Sequence, residues 1–297
     1  MNSFLECIAN GNAALDSDAC ANVVEAAFSG CADTSSHEDL DVLTRVKEAI
    51  IAERVDLYLQ PIVSLPQRKT RYFEAFSRLR DARGQVLKPA TYIEAAERAN
   101  RIGVIDNLIL TRCIDAIRRY GREDPHLVVF CNLSPTTLFD TEFFEAFTSY
   151  LEANADLASR LIFEFTYPSI HMMHPRVEEK VAEIAARGFA FSLDHVHRLD
   201  LDWDALGRRN FRFVKVSAAT LQRTMQVTHI GEGGVIAPRD LRKRLMTAGI
   251  DLIAEKIEAE GDMPPILSMG LDFGQGHLFG APRKAESYLT KLSNGAG

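Results

Sequence analysis

The chain has 297 residues, 46% hydrophobic and 25% charged, a composition that supports a large soluble core without a disulfide or metal staple. No apolar run approaches the roughly 20 residues of a membrane helix, and the first Lys or Arg is Arg45, so the basic start of a secretory leader is missing and the expected location is the cytoplasm. Residues 1–44 hold eight acids and no Lys or Arg, against 33 acids and 34 bases in the remainder, so the net charge of −7 belongs to that segment and the body offers no large basic surface for duplex nucleic acid.

The acidic segment 1–44 reads as an appendage, with short helices expected around 3–9 and 20–28. A helix is expected over 40–53, where Leu40, Leu43, Val46 and Ile50 fall on one face. From there strands and helices alternate. Strand-like runs occupy 56–63, 71–79, 127–133, 161–166, 189–194, 211–217, 250–257 and 271–279. Helical patterns fill 91–99, 104–120, 140–153, 175–187, 238–248 and 262–269. This order predicts an α/β fold, a TIM-type (β/α)8 barrel over residues 45–290, followed by a short tail at 291–297. The run Gly231-Glu232-Gly233-Gly234 reads as a loop. The five cysteines show no CxxC spacing, and Cys113 and Cys131 lie in apolar runs as buried thiols.

One connection breaks the plan. Only SLPQRKT separates the first two strand runs. A parallel crossover needs a dozen or more residues, so the first strand is expected to run antiparallel to the second in a modified barrel.

Each strand run is apolar except for one conspicuous polar residue: Gln60, Glu74, Asn132, Glu164, Asp194, Lys215, Glu255 and Gln275 in order. A polar group inside an apolar strand costs free energy unless it is paired, and one in every strand suggests convergence on a pocket at the strand C-termini. Carboxylates with an amide oxygen are hard donors suited to Mg²⁺ or Mn²⁺. Lys215 and Arg78 are cations suited to a phosphate. The set points to a phosphodiester site.

The runs QPIVSL, EAFSR, CNLS, FEFT, SLDH, FVKVS, AEKIE and GQGHLF resemble, in order and spacing, the EAL-domain family of cyclic di-GMP phosphodiesterases and receptors, over about residues 45–285. That resemblance implies a barrel with an antiparallel first strand. It implies metal binding by Glu74, Asn132, Glu164 and Asp194, with Mg or Mn as the ion, and catalytic positions at Lys215 and Glu255. It implies ligand contacts from Phe76 and Arg78 of the EAFSR run, a phosphate contact from Arg78, guanine contacts from Gln60 and Asp106, and support from Glu258 and Gln275. Within the family, the runs DLYLQPIVSLPQRK and DLIAEKIE look closest to flagellar-assembly regulators of alphaproteobacteria.

Departures from the family pattern cluster on one side of the site. The second of two adjacent aspartates is His195, and the glycine-rich stretch after it reads Val196-His197-Arg198-Leu199. Tyr167 and Ser217 stand where acids are usual. The resemblance implies two metals in active members, with the second aspartate serving the second; losing that carboxylate removes transition-state stabilisation worth orders of magnitude in rate, whereas ligand binding needs only shape and contacts. The expected function is therefore a catalytically silent cyclic di-GMP receptor that needs no cofactor to bind and that signals to a protein partner, flagellar or polar. The alternatives are a weak or metal-selective phosphodiesterase and a nucleotide-independent interaction module.

Overall fold

The computed structural model of the protein describes residues 36–288 other than 123, 140, 172 and 227–237, together with residues 22 and 24–28. The expected helix over 3–9, the start of that over 20–28, the 231–234 loop, Cys7, Cys20, Cys31 and the tail 291–297 lie outside the described residues.

Eight strands close into a barrel: β1 (Val55–Ser64), β2 (Thr70–Leu79), β3 (Val129–Asn132), β4 (Leu161–Thr166), β5 (Ala190–Val196), β6 (Phe211–Ser217), β7 (Asp251–Glu255) and β8 (Phe273–Gln275). Neighbours from β2 to β8 are parallel, and β1 closes the ring antiparallel to both β2 and β8. The reversed first strand follows from the short link, as the sequence requires. A two-residue strand, β9 (Arg283–Lys284), continues along β1 beside Tyr58 and Leu59.

The alternation of strand side chains sorts the interior into layers. One layer is apolar. Ile62, Phe130, Ile162, Phe213 and Ile253 form a cluster of their own inside the barrel. Tyr72 sits among Phe130, Phe213 and Phe273 at centroid distances of 5.7, 5.3 and 5.2 Å. Two residues along each strand from this plug, the side chains turn polar. Glu74, Asn132, Glu164, Lys215, Glu255 and Gln275 each follow an apolar plug residue by two, and Gln60 precedes Ile62 by two on the reversed strand. That period is why every strand run shows one polar residue. The larger core lies outside the strands, where Phe163, Phe189, Phe191 and Phe211 meet the surrounding helices.

The helices His37–Ile51, Pro89–Arg98, Ile102–Tyr120, Thr141–Ala153, Pro175–Ala186, Pro238–Ala248 and Met263–Ser268 lie close to their expected places. Sequence periodicity misses short ones at Pro135–Phe139, Tyr167–His171, Trp203–Arg208 and Ala218–Gln226. Two of these are set by local side-chain bonds. Asp202 accepts from the Ala205 N–H at 2.9 Å, and the Ser217 hydroxyl accepts from the Thr220 N–H at 3.2 Å. The first helix is fastened to Pro89–Arg98 by a forked ion pair in which Arg98 donates to both Asp39 oxygens, at 2.6 and 3.1 Å. Cys113 and Cys131 are buried free thiols.

Candidate functional site

A cleft of about 380 Å³ opens at the C-terminal ends of β2–β5. Strand residues Glu74, Phe76, Arg78, Asn132, Glu164 and Asp194 line it, with His195 beside them. Helices Pro89–Arg98 and Ile102–Tyr120 supply an apolar wall of Ile93, Ile102, Ile105 and Ile109, together with Glu97 and Asp106. That position is where a barrel fold gathers its functional residues.

Beneath the cleft the polar layer is wired internally. The Lys215 ammonium lies 2.8 Å from Glu74 Oε2 and 2.8 Å from Glu164 Oε1, and its side chain is completely buried. Gln275 Nε2 donates to Glu74 Oε2 at 2.6 Å and to Gln60 Oε1 at 3.2 Å. Gln60 Nε2 in turn donates to the Gly280 carbonyl at 3.1 Å. Gln60, Lys215, Glu255 and Gln275 thus stand behind the cleft lining rather than in it. Burial alone would lower the Lys215 pKa, but Glu164, Glu74 and Asp194 outweigh burial and raise it, so the amine stays charged. Burial pushes the Glu164 carboxyl well up, partly offset by Lys215, and Glu74 and Asp194 push in the same direction as burial. Glu255 is also raised, first by burial and then by Asp194.

The acids and the Asn132 amide are the donor types that Mg²⁺ or Mn²⁺ prefers. Their placement is different: among the described residues no three acids, histidines or cysteines are grouped to hold an ion. An internal ammonium already lies between Glu74 and Glu164. The donors fit a metal in chemistry but not in this arrangement.

Arg78 is held in place from three sides. Its Nη1 donates to the Ser77 carbonyl at 2.8 Å, and its guanidinium lies 5.4 Å from the Tyr58 ring centre and 5.7 Å from that of Phe76. The same Ser77 carbonyl accepts from the buried Tyr92 hydroxyl at 3.0 Å. The guanidinium is thereby pre-positioned at the cleft wall with donors to spare.

Asp106 is buried, and its Oδ2 accepts from the Ser134 N–H at 2.8 Å and the Thr137 hydroxyl at 2.6 Å. Burial pushes its pKa up to about 7 against those two bonds. A raised folded-state pKa contributes stability that is complete below the unfolded value and is lost as pH rises through the folded one. Asp106→Asn keeps an acceptor oxygen for both partners and removes the ionisation. The expected result is that the urea midpoint of the unaltered chain falls between pH 5 and pH 8 by more than that of the variant. Parallel pH curves for the two proteins would contradict this account.

Sequence reasoning missed the isoleucine wall, Glu97 and Ser134. The helix Ile102–Tyr120 is buried on almost every side, so its pattern carries no polar face that would separate cleft residues from core. Glu258 is exposed and paired with His277, Nδ1 to Oε2 at 3.1 Å. His197 is exposed and does not line the cleft.

Comparison with known proteins gives one family. The family description "EAL domain" matches residues 44–282. A cyclic di-GMP phosphodiesterase of Shewanella oneidensis, PdeB, is 22% identical over 250 residues, which cover 84% of this chain and 29% of that protein. The probable cyclic di-GMP phosphodiesterase PdeI of Escherichia coli is 23% identical over 251 residues, 82% of this chain and 31% of that protein. The chain thus spans about a third of the length of these relatives. Among solved structures, the PaMucR phosphodiesterase in complex with cyclic di-GMP superposes with a TM-score of 0.70 at 19% identity, covering 83% of this chain and 99% of that one. The FimX EAL domain from Pseudomonas aeruginosa bound to cyclic di-GMP gives 0.65 at 19%, covering 82% and 97%. At these identities the superpositions show the shared barrel.

Proposed function

The chain belongs to the EAL-domain family, and on that premise we propose that it is a cyclic di-GMP receptor without useful phosphodiesterase activity. The observation that carries this reading is His195, which lines the cleft beside Asp194 where the resemblance implies a second acid. A histidine there brings no carboxylate charge to a second Mg²⁺ or Mn²⁺, which prefer hard oxygen donors. Lys215 still clamps Glu74 and Glu164 together, and the cleft above them is formed and presents Arg78, so the ligand side of the site is kept. Ligand contacts in this reading come from Glu74, Phe76, Arg78, Asp106, Asn132, Glu164 and Asp194 at the cleft, with Gln60, Lys215, Glu255 and Gln275 holding the layer behind them. The receptor unit is residues 45–290, flanked by the acidic segment 1–44 and the tail 291–297. The likeness of its strand runs to flagellar-assembly regulators supports motility as the process and a flagellar or polar protein as the partner.

The deciding experiment is calorimetric titration of the chain with cyclic di-GMP in EDTA, followed by a turnover assay with Mg²⁺ and with Mn²⁺. Binding in EDTA with no linear product is the expected result. Rapid formation of linear product would replace this reading with that of an active phosphodiesterase, and absence of binding would leave a nucleotide-independent module. In the same titration Arg78→Ala is expected to weaken binding by about 1–3 kcal/mol, the cost of losing a hydrogen bond to a charged group. Unchanged affinity would remove Arg78 from the phosphate site.

A further inference from the structure

His195 is aimed at the cleft by a local break in β5. Strand alternation turns Asp194 inward and would turn the next residue out toward the helices. Instead, Leu193 pairs with Val214 and Val196 with Val216, so β5 carries one extra residue against β6. That is a β-bulge, a device that re-aims side chains. His195 takes up the change with a φ of +55°, a backbone conformation unusual for a residue other than glycine. Its N–H donates to Asp194 Oδ1 at 2.6 Å, which helps to hold the bulge. The imidazole then lines the cleft together with Asp194, and its side chain is 52% exposed.

The ring has only a long contact to Asp194. Its Nε2 lies 3.6 Å from Asp194 Oδ2, beyond hydrogen-bond reach, and among the described residues its nitrogens make no hydrogen bond. The surroundings need a donor if an anion is to sit there. Lys215 lies within 2.8 Å of Glu74 and of Glu164, whereas among the described residues no Lys or Arg bonds the buried Asp194 carboxylate. A phosphate beside Asp194 would meet an acceptor-only group. Arg78 serves the β2 wall, three strands away.

We propose that His195 is a ligand-binding residue of this chain, holding a phosphodiester oxygen of the bound dinucleotide by an imidazole N–H on the β5 wall while Arg78 holds the β2 side. This rests on the receptor reading above. The bulge and the residue type act together: one points the donor into the cleft, and the other supplies an N–H beside Asp194.

The test is titration with cyclic di-GMP in EDTA of the unaltered chain and of His195→Ala, His195→Gln and His195→Asp, with urea midpoints taken for each. His195→Ala is expected to weaken binding by about tenfold, the loss of one hydrogen bond to a charged group. His195→Gln keeps an N–H donor and is expected to stay within about threefold of the unaltered chain. His195→Asp places a second acid against the phosphate and is expected to fall furthest, by about a hundredfold. Binding by all four proteins within about twofold would overturn the role of His195 and leave the receptor reading intact. Equal losses in all three variants would also overturn it, because a merely structural residue would not be rescued by glutamine. No binding by the unaltered chain sinks the receptor reading and this assignment together.

Discussion

Lys215→Met is expected to lower folding stability by about 3–5 kcal/mol at neutral pH, the usual cost of removing one member of a buried ion pair. The methionine fills most of the space, so a cavity contributes little. The loss comes from charge. Lys215 is fully buried, with Glu74 Oε2 and Glu164 Oε1 each 2.8 Å from its ammonium. Glu164 Oε2 already lacks a partner among the described residues. Without the ammonium, the carboxylates face each other with only the Gln275 amide to share, and burial makes the charged form expensive. The pH dependence has a definite sign. Burial raises the folded-state pKa of Glu164 above its ordinary value of 4.5, and Lys215 is the main influence holding it down. Removing Lys215 raises it further. A raised carboxyl leaves stability intact below the unfolded pKa and takes it away as pH rises. The deficit of the variant is therefore expected to shrink toward pH 5 and to grow toward pH 8, read as the difference in urea midpoints. A second change, Glu164→Gln, in the Lys215→Met background should recover part of the loss at pH 8. A deficit of the same size at both pH values would mean that the clamp is not electrostatic.

The barrel was legible because two simple signals dominate it. Period-two alternation with a polar residue at one fixed depth marks each strand, and the seven residues SLPQRKT cannot make a parallel crossover. The residue types of the site were legible for the same reason: the polar layer is the second layer of the interior. How that layer is bonded was not. Nothing in the sequence says that Gln275 reaches both Glu74 and Gln60, or that Gln60 ends on the Gly280 carbonyl. Those bonds depend on barrel closure between β1 and β8, which brings residues more than 200 positions apart into register. The aim of His195 was equally hidden, because a bulge shifts facing by one residue without leaving a compositional trace. The short helices were missed although Asp202 and Ser217 carry cap signals, since a segment of six to nine residues is too short for periodicity to show.

Gly276→Ala is expected to be the most damaging single methyl group in the barrel, costing about 3 kcal/mol, the upper end for overpacking. A Cβ at Gly276 would lie 2.0 Å from the Ile257 carbonyl oxygen, 2.4 Å from its nitrogen and 2.6 Å from its carbonyl carbon. Each of these is backbone, so no side chain can swing aside. Both polar groups of Ile257 are in use: its N–H donates to the Gln275 carbonyl at 3.1 Å, and its carbonyl accepts from the Leu278 N–H at 3.1 Å. Moving Ile257 breaks one or both bonds and shifts the end of β8, where Gln275 spans Glu74 and Gln60. The damage should therefore reach the polar layer behind the cleft. The expected outcome is a lower urea midpoint together with weaker cyclic di-GMP binding at a temperature where the variant is still folded. Gly84→Ala is the natural control, because nothing lies within 4 Å of its added Cβ and only its positive φ of 79° opposes the change. If Gly276→Ala destabilised no more than Gly84→Ala, the close approach at Ile257 would not be a feature of the folded protein. If it destabilised but left binding untouched, the β8 amide would not support the cleft.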